Sequence, residues 1–203
     1  MPTRVFLCRH AETESWAQGR FCGRLEVGLS AAGVEQARAL GGAVASEGVT
    51  SVYSSPSRRG RETAGIVASV CGVDLVELSD LAEIDFGELD GLSYEEAKEL
   101  FPDVYRSWFA SPGTVRLPRG ECLEDVRTRA SRALAEVLEQ SRGSTVAVVS
   151  HAGPLRVLLA QALMAPDEVL FRISLDHGTH SLVEWLDDGV PLIRRLNARS
   201  CGG

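Results

Sequence analysis

Histidine and arginine side chains follow three strand-like segments, each at the point where the apolar residues end. Arg9 and His10 follow one segment, and His151 follows another. The residues after the third are Ser54, Ser55, Arg58, Arg59 and Arg61. A neutral imidazole is a good nucleophile near pH 7, and guanidinium groups bind phosphate through paired N–H donors. Each residue alone is more commonly an ordinary surface group, but their coincidence favours a phosphate pocket.

The elements that would position these residues can be predicted from apolar spacing, caps and turn residues. Strands are expected over residues 4–8, 49–54, 74–78, 145–149, 169–175, 181–186 and 191–196. Helices are expected from Ser30, from Ser55-Pro56 to near Gly72, and over 94–101, 104–109, 121–140 and 153–163. Residues 81–118 are otherwise irregular.

Strands that alternate with helices predict an α/β fold, here a three-layer α/β/α sandwich with a mainly parallel central sheet. In such sheets, ligands bind outside the carboxyl ends of the strands, where the histidines and arginines fall. We find no repeat or linker. Residues 1–203 are therefore expected to form a single domain, with a lid-like insertion at about 81–120.

Composition limits the partners. The 203 residues carry a formal net charge of −7, which does not favour nucleic acid or an anionic membrane as partner. An anionic substrate must then be held by a local basic pocket. No signal peptide is apparent, and no apolar stretch approaches the roughly 20 residues that span a bilayer. Five dispersed cysteines favour reduced thiols, so a cytoplasmic location is expected.

Several segments resemble, in order, the motifs of the histidine phosphatase superfamily, which is also called phosphoglycerate-mutase-like. Arg9-His10-Ala11-Glu12-Thr13 resembles the family's Arg-His-Gly-Glu-Thr signature. The other matching segments are Gly23, Leu29–Ala37, Ser54–Ala64, Leu81–Gly87, Gly120-Glu121 and Val149–Gly153. The resemblance spans nearly the whole chain.

The resemblance implies a metal-independent reaction without a cofactor. His10 would take the phosphoryl group, and Glu83 would protonate the leaving alkoxide and later deprotonate water. Arg9, Arg59 and His151 would stabilise the transferring oxygens. Glu83 could instead be a solvated loop carboxylate.

The resemblance also places substrate contacts at Thr13, Trp16, Cys22, Gly23 and Ala152. Three residues depart from the family pattern. Ala11 and Ala152 replace glycines, at a cost of about 1 kcal/mol if either position requires a positive φ. Trp16 stands where many members carry a phosphate-contacting asparagine, so one hydrogen-bond donor is expected to be lost or supplied elsewhere.

Three functions compete. A phosphomonoesterase acting on a small phosphorylated metabolite is favoured over a cofactor-dependent mutase, because the region between Gly87 and Gly120 lacks a long basic insertion. A non-catalytic phospho-ligand binder is disfavoured because His10 and Glu83 are both present. The C-terminal segments 171–173, 177–178 and 195–197 resemble the α-ribazole phosphatase branch, and a monomer or homodimer is compatible with the sequence.

Aromatic residues offer a second hint about the substrate. Trp16, Phe21, Trp108 and Phe109 could wall a flat aromatic leaving group. Aromatic side chains at such spacings are more often ordinary packing. Both interpretations stay open at the level of sequence.

Overall fold

The computed structural model describes residues 1–14, 17 and 19–199. The strands are β1 (Thr3–Arg9), β2 (Ser51–Ser54), β3 (Leu75–Glu77), β4 (Thr145–Ser150), β5 (His180–Trp185) and β6 (Pro191–Ala198). The α-helices are α1 (Ala31–Ala45), α2 (Arg58–Cys71), α3 (Tyr94–Leu100), α4 (Pro102–Ala110), α5 (Leu123–Gln140) and α6 (Ala152–Ala162). Short 3-10 helices cover Ser79–Leu81, Gly87–Leu89, Pro112–Thr114 and Asp167–Arg172.

The six strands form one sheet in the order β3-β2-β4-β1-β5-β6. The pairs β1–β4, β2–β4 and β2–β3 are parallel, whereas β5 and β6 join as antiparallel strands. The register pairs Arg9 with Ser150, so the residues that follow them, His10 and His151, leave the sheet at the same level. This register therefore places the two histidines at the same edge of the sheet.

The predicted three-layer α/β/α sandwich is confirmed, because alternate side chains of the sheet enter two separate cores. Val5 and Leu7 of β1 pack with apolar residues of α5 and α6. Phe6 and Cys8 pack on the opposite face with apolar residues of α1 and α2. The strict alternation along β1 follows from the two-residue period of a strand.

A third apolar cluster joins the irregular region to this sandwich. Ile84, Leu89 and Trp108 pack against Val126 of α5 and Val157 of α6. The irregular region, which was predicted as a lid-like insertion, therefore packs against α5 and α6.

One element was predicted wrongly. Residues 169–175 do not form a strand. Instead a 3-10 helix covers Asp167–Arg172, with Asp167 and Glu168 in its first turn. Leu170 and Ile173 are both buried, and their three-residue spacing suits a 3-10 turn rather than a strand. The helix expected from Ser55-Pro56 begins slightly later, at Arg58, because Ser57 is its N-cap.

Among the described residues, no helix is both long and apolar enough to cross a membrane.

Candidate active site

The loop after β1 is held in place by α1 and its N-cap, which accounts for three residues of the Leu29–Ala37 motif. Gln36 accepts a hydrogen bond from the backbone N–H of Glu12 at 2.9 Å, and Ser30 donates to the Glu12 carboxylate at 2.7 Å. A Cβ on Gly33 would lie 2.0 Å from the carbonyl oxygen of Glu12. Only glycine allows helix and loop to approach this closely.

His10 is buried at the end of β1, with a defined tautomer. Its Nδ1 lies 2.8 Å from the carbonyl oxygen of Ala11. Because a carbonyl only accepts, Nδ1 carries the proton and Nε2 keeps its lone pair. Burial lowers the pKa of His10 well below its ordinary value, and the nearby His151, Arg9 and Arg59 lower it further. The imidazole is thus neutral and nucleophilic at Nε2.

His151 caps the N-terminus of α6, and its ring centroid lies 5.1 Å from that of His10. Its Nε2 is 2.7 Å from the Ser55 hydroxyl and 3.2 Å from the Ser57 hydroxyl, so the serines of the segment after β2 orient the ring. Burial and the charge of Arg59 lower the pKa of His151. Nδ1 is buried and has no hydrogen-bond partner among the described residues.

Arg59 is buried with 1% exposure, although it belongs to a helix whose neighbouring arginines are solvent-exposed. Its guanidinium donates to the carbonyl oxygens of Cys22, Gly23 and Leu25 at 2.7, 3.1 and 2.8 Å. No carboxylate of the described residues lies within 4.0 Å of it. A buried cation without a counter-charge is costly, and a bound anion would relieve that cost.

Arg9 is a second cation that forms no ion pair with a described carboxylate, although it is only partly buried. Its guanidinium donates to the carbonyl oxygen of Leu175 and, at 2.8 Å, to Nε2 of His177. Because arginine only donates, Nε2 of His177 accepts and the ring is neutral. Burial and the Arg9 charge lower the pKa of His177 to about 4. The Nε of Arg9 is buried without a partner in the described part of the chain.

Glu83 lies opposite, in the loop after the 3-10 helix Ser79–Leu81. Its carboxylate accepts from the backbone N–H groups of Ile84 at 2.9 Å and Gly153 at 3.1 Å. Burial raises the pKa of Glu83, against the opposing effects of the Ile84 N–H, Arg59 and Arg9. The carboxyl group therefore keeps a proton to higher pH than an exposed glutamate does.

The position of Glu83 depends on a clamp between Arg129 and Glu121. Arg129 pairs with both carboxylate oxygens of Glu121, at 2.8 and 2.9 Å, and donates to the carbonyl oxygens of Asp80, Ala82 and Glu83. Glu121 also accepts from the N–H of Asp85. The Gly120-Glu121 motif thus fixes the acid loop rather than contacting the site itself.

Of these groups, Arg9, His10, Arg59, Glu83 and His177 line one cavity of about 760 Å³, and His151 is fully buried beside His10. Much of the remaining lining is aromatic, and the contributing side chains are Phe21, Phe86, Tyr94, Tyr105, Trp108, Phe109 and Phe171. The volume falls in the range of small-molecule sites, roughly 300–1,000 Å³.

The structure brings the five predicted catalytic residues together. Of the predicted substrate contacts, Thr13, Cys22 and Ala152 line the cavity. Gly23 contributes differently, because its N–H donates to Asp90 and its carbonyl holds Arg59. Trp16 lies outside the described residues. Neither Ala11 nor Ala152 has a positive φ, so replacing glycine there costs no backbone strain.

Sequence reasoning did not select His177 or Arg156 as site residues, although both line the cavity. Arg156 could have been selected, because it lies in the predicted helix 153–163, about one helical turn after Ala152, and so on the same side. Of the arginines after β2, only Arg59 reaches the cavity. Arg58 pairs with Glu62 at 2.7 Å on the surface instead.

Comparison with known proteins agrees with the geometry. The sequence profile of the histidine phosphatase superfamily (branch 1) matches residues 5–199. A bifunctional protein of Mycobacterium tuberculosis is 38% identical over 197 residues, which are 97% of this chain but only 54% of that protein. The chain thus spans about half the length of that relative.

Two further likenesses cover nearly the whole of both chains. Phosphoserine phosphatase 1 of Hydrogenobacter thermophilus is 31% identical over 194 residues, which are 96% of this chain and 92% of that protein. The structure of the alpha-ribazole phosphatase from Shigella flexneri matches with a TM-score of 0.86 and 26% identity, covering 98% of both chains. With a profile match over almost every residue, this chain belongs to the histidine phosphatase superfamily, branch 1.

Proposed function

We propose that this chain is a metal-independent phosphomonoesterase that hydrolyses a small phosphorylated metabolite through a phosphohistidine at His10. The observation that carries the proposal is the neutral His10 imidazole, with Nε2 unprotonated, beside the buried Arg59 and the partly buried Arg9, neither of which forms an ion pair with a described carboxylate. A phosphoryl group would supply both the electrophile and the missing negative charge.

In the first step, Nε2 of His10 attacks phosphorus in line while the bond from phosphorus to the leaving oxygen breaks. The proton held by Glu83 passes to that oxygen, so the product leaves as a neutral alcohol. Arg9 and Arg59 stabilise the equatorial oxygens. We assign the proton of His151 to Nδ1, so that Nε2 accepts from the Ser55 hydroxyl and the buried, unpartnered Nδ1–H donates to a phosphoryl oxygen.

In the second step, the ionised Glu83 removes a proton from water, and the resulting oxygen attacks phosphorus. The bond from phosphorus to His10 breaks, which releases inorganic phosphate and restores the neutral imidazole and the protonated acid. The same groups serve both steps, and no metal ion is required for the charge balance.

The identity of the leaving group is a finer proposal. The aromatic side chains that line the cavity suit a flat, largely apolar leaving group. The resemblance of the C-terminal segments adds α-ribazole 5′-phosphate as a candidate substrate. The phosphoserine phosphatases among the relatives make phosphoserine a second candidate. A mutase remains the alternative activity of the same site.

Turnover of phenyl phosphate and 3-phosphoglycerate tests the proposal. We expect phosphate release that persists in excess chelator and falls below detection in His10→Ala, with no isomerised phosphoglycerate. Activity that chelator abolishes, or that survives in His10→Ala, would refute the mechanism. Isomerisation faster than phosphate release would instead assign a mutase.

A further inference from the structure

Arg156 is a further cation in the cavity, and the phosphoryl mechanism does not use it. Its side chain leaves the same face of α6 as Ala152 and points into the cavity lined by His10 and Glu83. It forms no ion pair with any described carboxylate, in contrast to Arg20, which also lines the cavity but pairs with Glu96 at 3.1 Å. Arg156 therefore has a charge available to a ligand.

The contacts of Arg156 fix its orientation without satisfying its charge. Its Nε donates to the carbonyl oxygen of Ile173 at 2.9 Å. The guanidinium carbon lies 5.8 Å from the centroid of the Phe171 ring. Neither terminal nitrogen donates a hydrogen bond to another described residue. The planar group is thus held at one edge, and its two terminal N–H sides remain available as a fork for an oxyanion.

The Phe171 ring beside this fork belongs to a cluster of aromatic side chains. The Phe171 ring packs against Trp108 and Phe109, with centroid separations of 6.1 and 5.1 Å. Phe21 packs against Tyr94 at 5.0 Å on another part of the wall. Partial burial lowers the pKa of Arg156 from its high ordinary value, but an arginine remains a cation at neutral pH. A cation among aromatic faces suits a ligand that is both flat and anionic.

We propose that Arg156 is a specificity-determining residue that binds a second oxyanion carried by an aromatic leaving group. The preferred substrate class is then an aryl or heteroaryl phosphomonoester with a carboxylate or similar anion away from the phosphate. This inference rests on the proposed phosphatase activity and narrows its substrate. It disfavours both candidates named above, since α-ribazole 5′-phosphate lacks a second anion and phosphoserine lacks the ring.

The experiment compares kcat/KM for 3- and 4-carboxyphenyl phosphate with kcat/KM for the corresponding carbamoylphenyl phosphates. The carbamoyl group matches the carboxylate in shape but has no charge. We expect at least one carboxylate to be preferred by about 10- to 100-fold, the effect of a charge-assisted hydrogen bond. Arg156→Gln should bring this ratio close to one, and Arg156→Lys should restore part of it.

Arg172→Gln is the matched control, because Arg172 is exposed on the neighbouring 3-10 helix and does not line the cavity. It should leave the ratio unchanged. Turnover of the carbamoyl substrates reports whether each variant is folded. A ratio near one in the wild type, or a ratio that Arg156→Gln leaves intact, would overturn the inference while the phosphatase proposal stands. Turnover of phosphoserine but of no aryl phosphate would likewise overturn the inference alone, whereas absence of turnover with every aryl phosphate, phosphoserine and 3-phosphoglycerate would overturn both.

Discussion

The imidazoles of His10 and His151 lie with their ring centroids 5.1 Å apart, one after each of two adjacent parallel strands. Their proximity follows from the register of β1 on β4, which places Arg9 opposite Ser150. The residues are 141 positions apart in the chain, yet strand pairing alone brings them to one edge of the sheet. The catalytic roles proposed for His10 and the residues around it can be tested one by one with variants.

Replacing Glu83 by glutamine should slow substrates with poor leaving groups most. Glutamine keeps the shape but cannot donate a proton, so kcat/KM for phenyl phosphate should fall by about 10²- to 10⁴-fold. The same quantity for 4-nitrophenyl phosphate should fall much less, because nitrophenolate leaves without protonation. Glu95→Gln, an exposed residue of α3, is the control. Equal losses for both substrates would show that Glu83 is not the acid.

The pH profile of kcat/KM should be broad and should reflect two shifted groups. The pKa of His10 is lowered, so the nucleophile should stay unprotonated as pH falls below 6.5, the ordinary value of histidine. The pKa of Glu83 is raised, so the acid should stay protonated above its ordinary 4.5. The alkaline limb that Glu83 causes should therefore be pronounced with phenyl phosphate and weak with 4-nitrophenyl phosphate, whose leaving group needs no proton. An acid limb at or above pH 6.5 that belongs to the free enzyme would contradict the assignment of His10.

Arg59 should not tolerate lysine. A lysine amine cannot hold three carbonyl oxygens in a plane and still present N–H groups to a phosphate. We expect Arg59→Lys to lower kcat/KM for 4-nitrophenyl phosphate by about 10²-fold or more, in line with the loss of a transition-state donor. Arg61→Lys, an exposed change on the same helix, should have little effect. Similar rates in the two variants would remove Arg59 from the phosphate pocket.

Glu121 should act as a positioning residue through Arg129. In Glu121→Gln the bidentate pair is weakened, so the loop that carries Glu83 loses its anchor. A misplaced acid costs most where the proton is needed, and we expect the phenyl to 4-nitrophenyl ratio of kcat/KM to fall about ten-fold. A merely structural role would lower both rates together. Glu124→Gln, which removes the same charge from an exposed residue paired with Arg127, is the control.

Residues in local motifs were predictable from sequence, because strand ends and helix caps are set by neighbours in the chain. His10 and His151 were found in this way, whereas the family resemblance selected Arg59 from the three arginines after β2. His177 and Arg156 were not, since their roles depend on the loop after Asp167–Arg172 packing beside the site. The wrongly predicted strand 169–175 lies in the same region, where the buried Leu170 and Ile173 have the three-residue spacing of a 3-10 turn. Tertiary contacts decide such short segments.

The structure also explains motif residues whose purpose the sequence alone does not show. Gly87 has a φ of 56°, and a Cβ there would lie 2.1 Å from the carbonyl oxygen of Pro118. Gly33 and Gln36 hold the loop that contains Glu12 rather than the substrate. These contacts join segments that are distant in the chain, so spacing could not reveal them.

Direct detection of the phosphorylated intermediate tests the central claim most sharply. Wild-type protein and Glu83→Gln would be mixed with 4-nitrophenyl phosphate, quenched in alkali within milliseconds and digested for mass spectrometry. We predict an acid-labile, alkali-stable phosphate on the peptide containing His10, accumulating in Glu83→Gln because the attack of water is slowed, and absent from His10→Ala. A burst of nitrophenol without that adduct, or with phosphate on another side chain, would contradict the account.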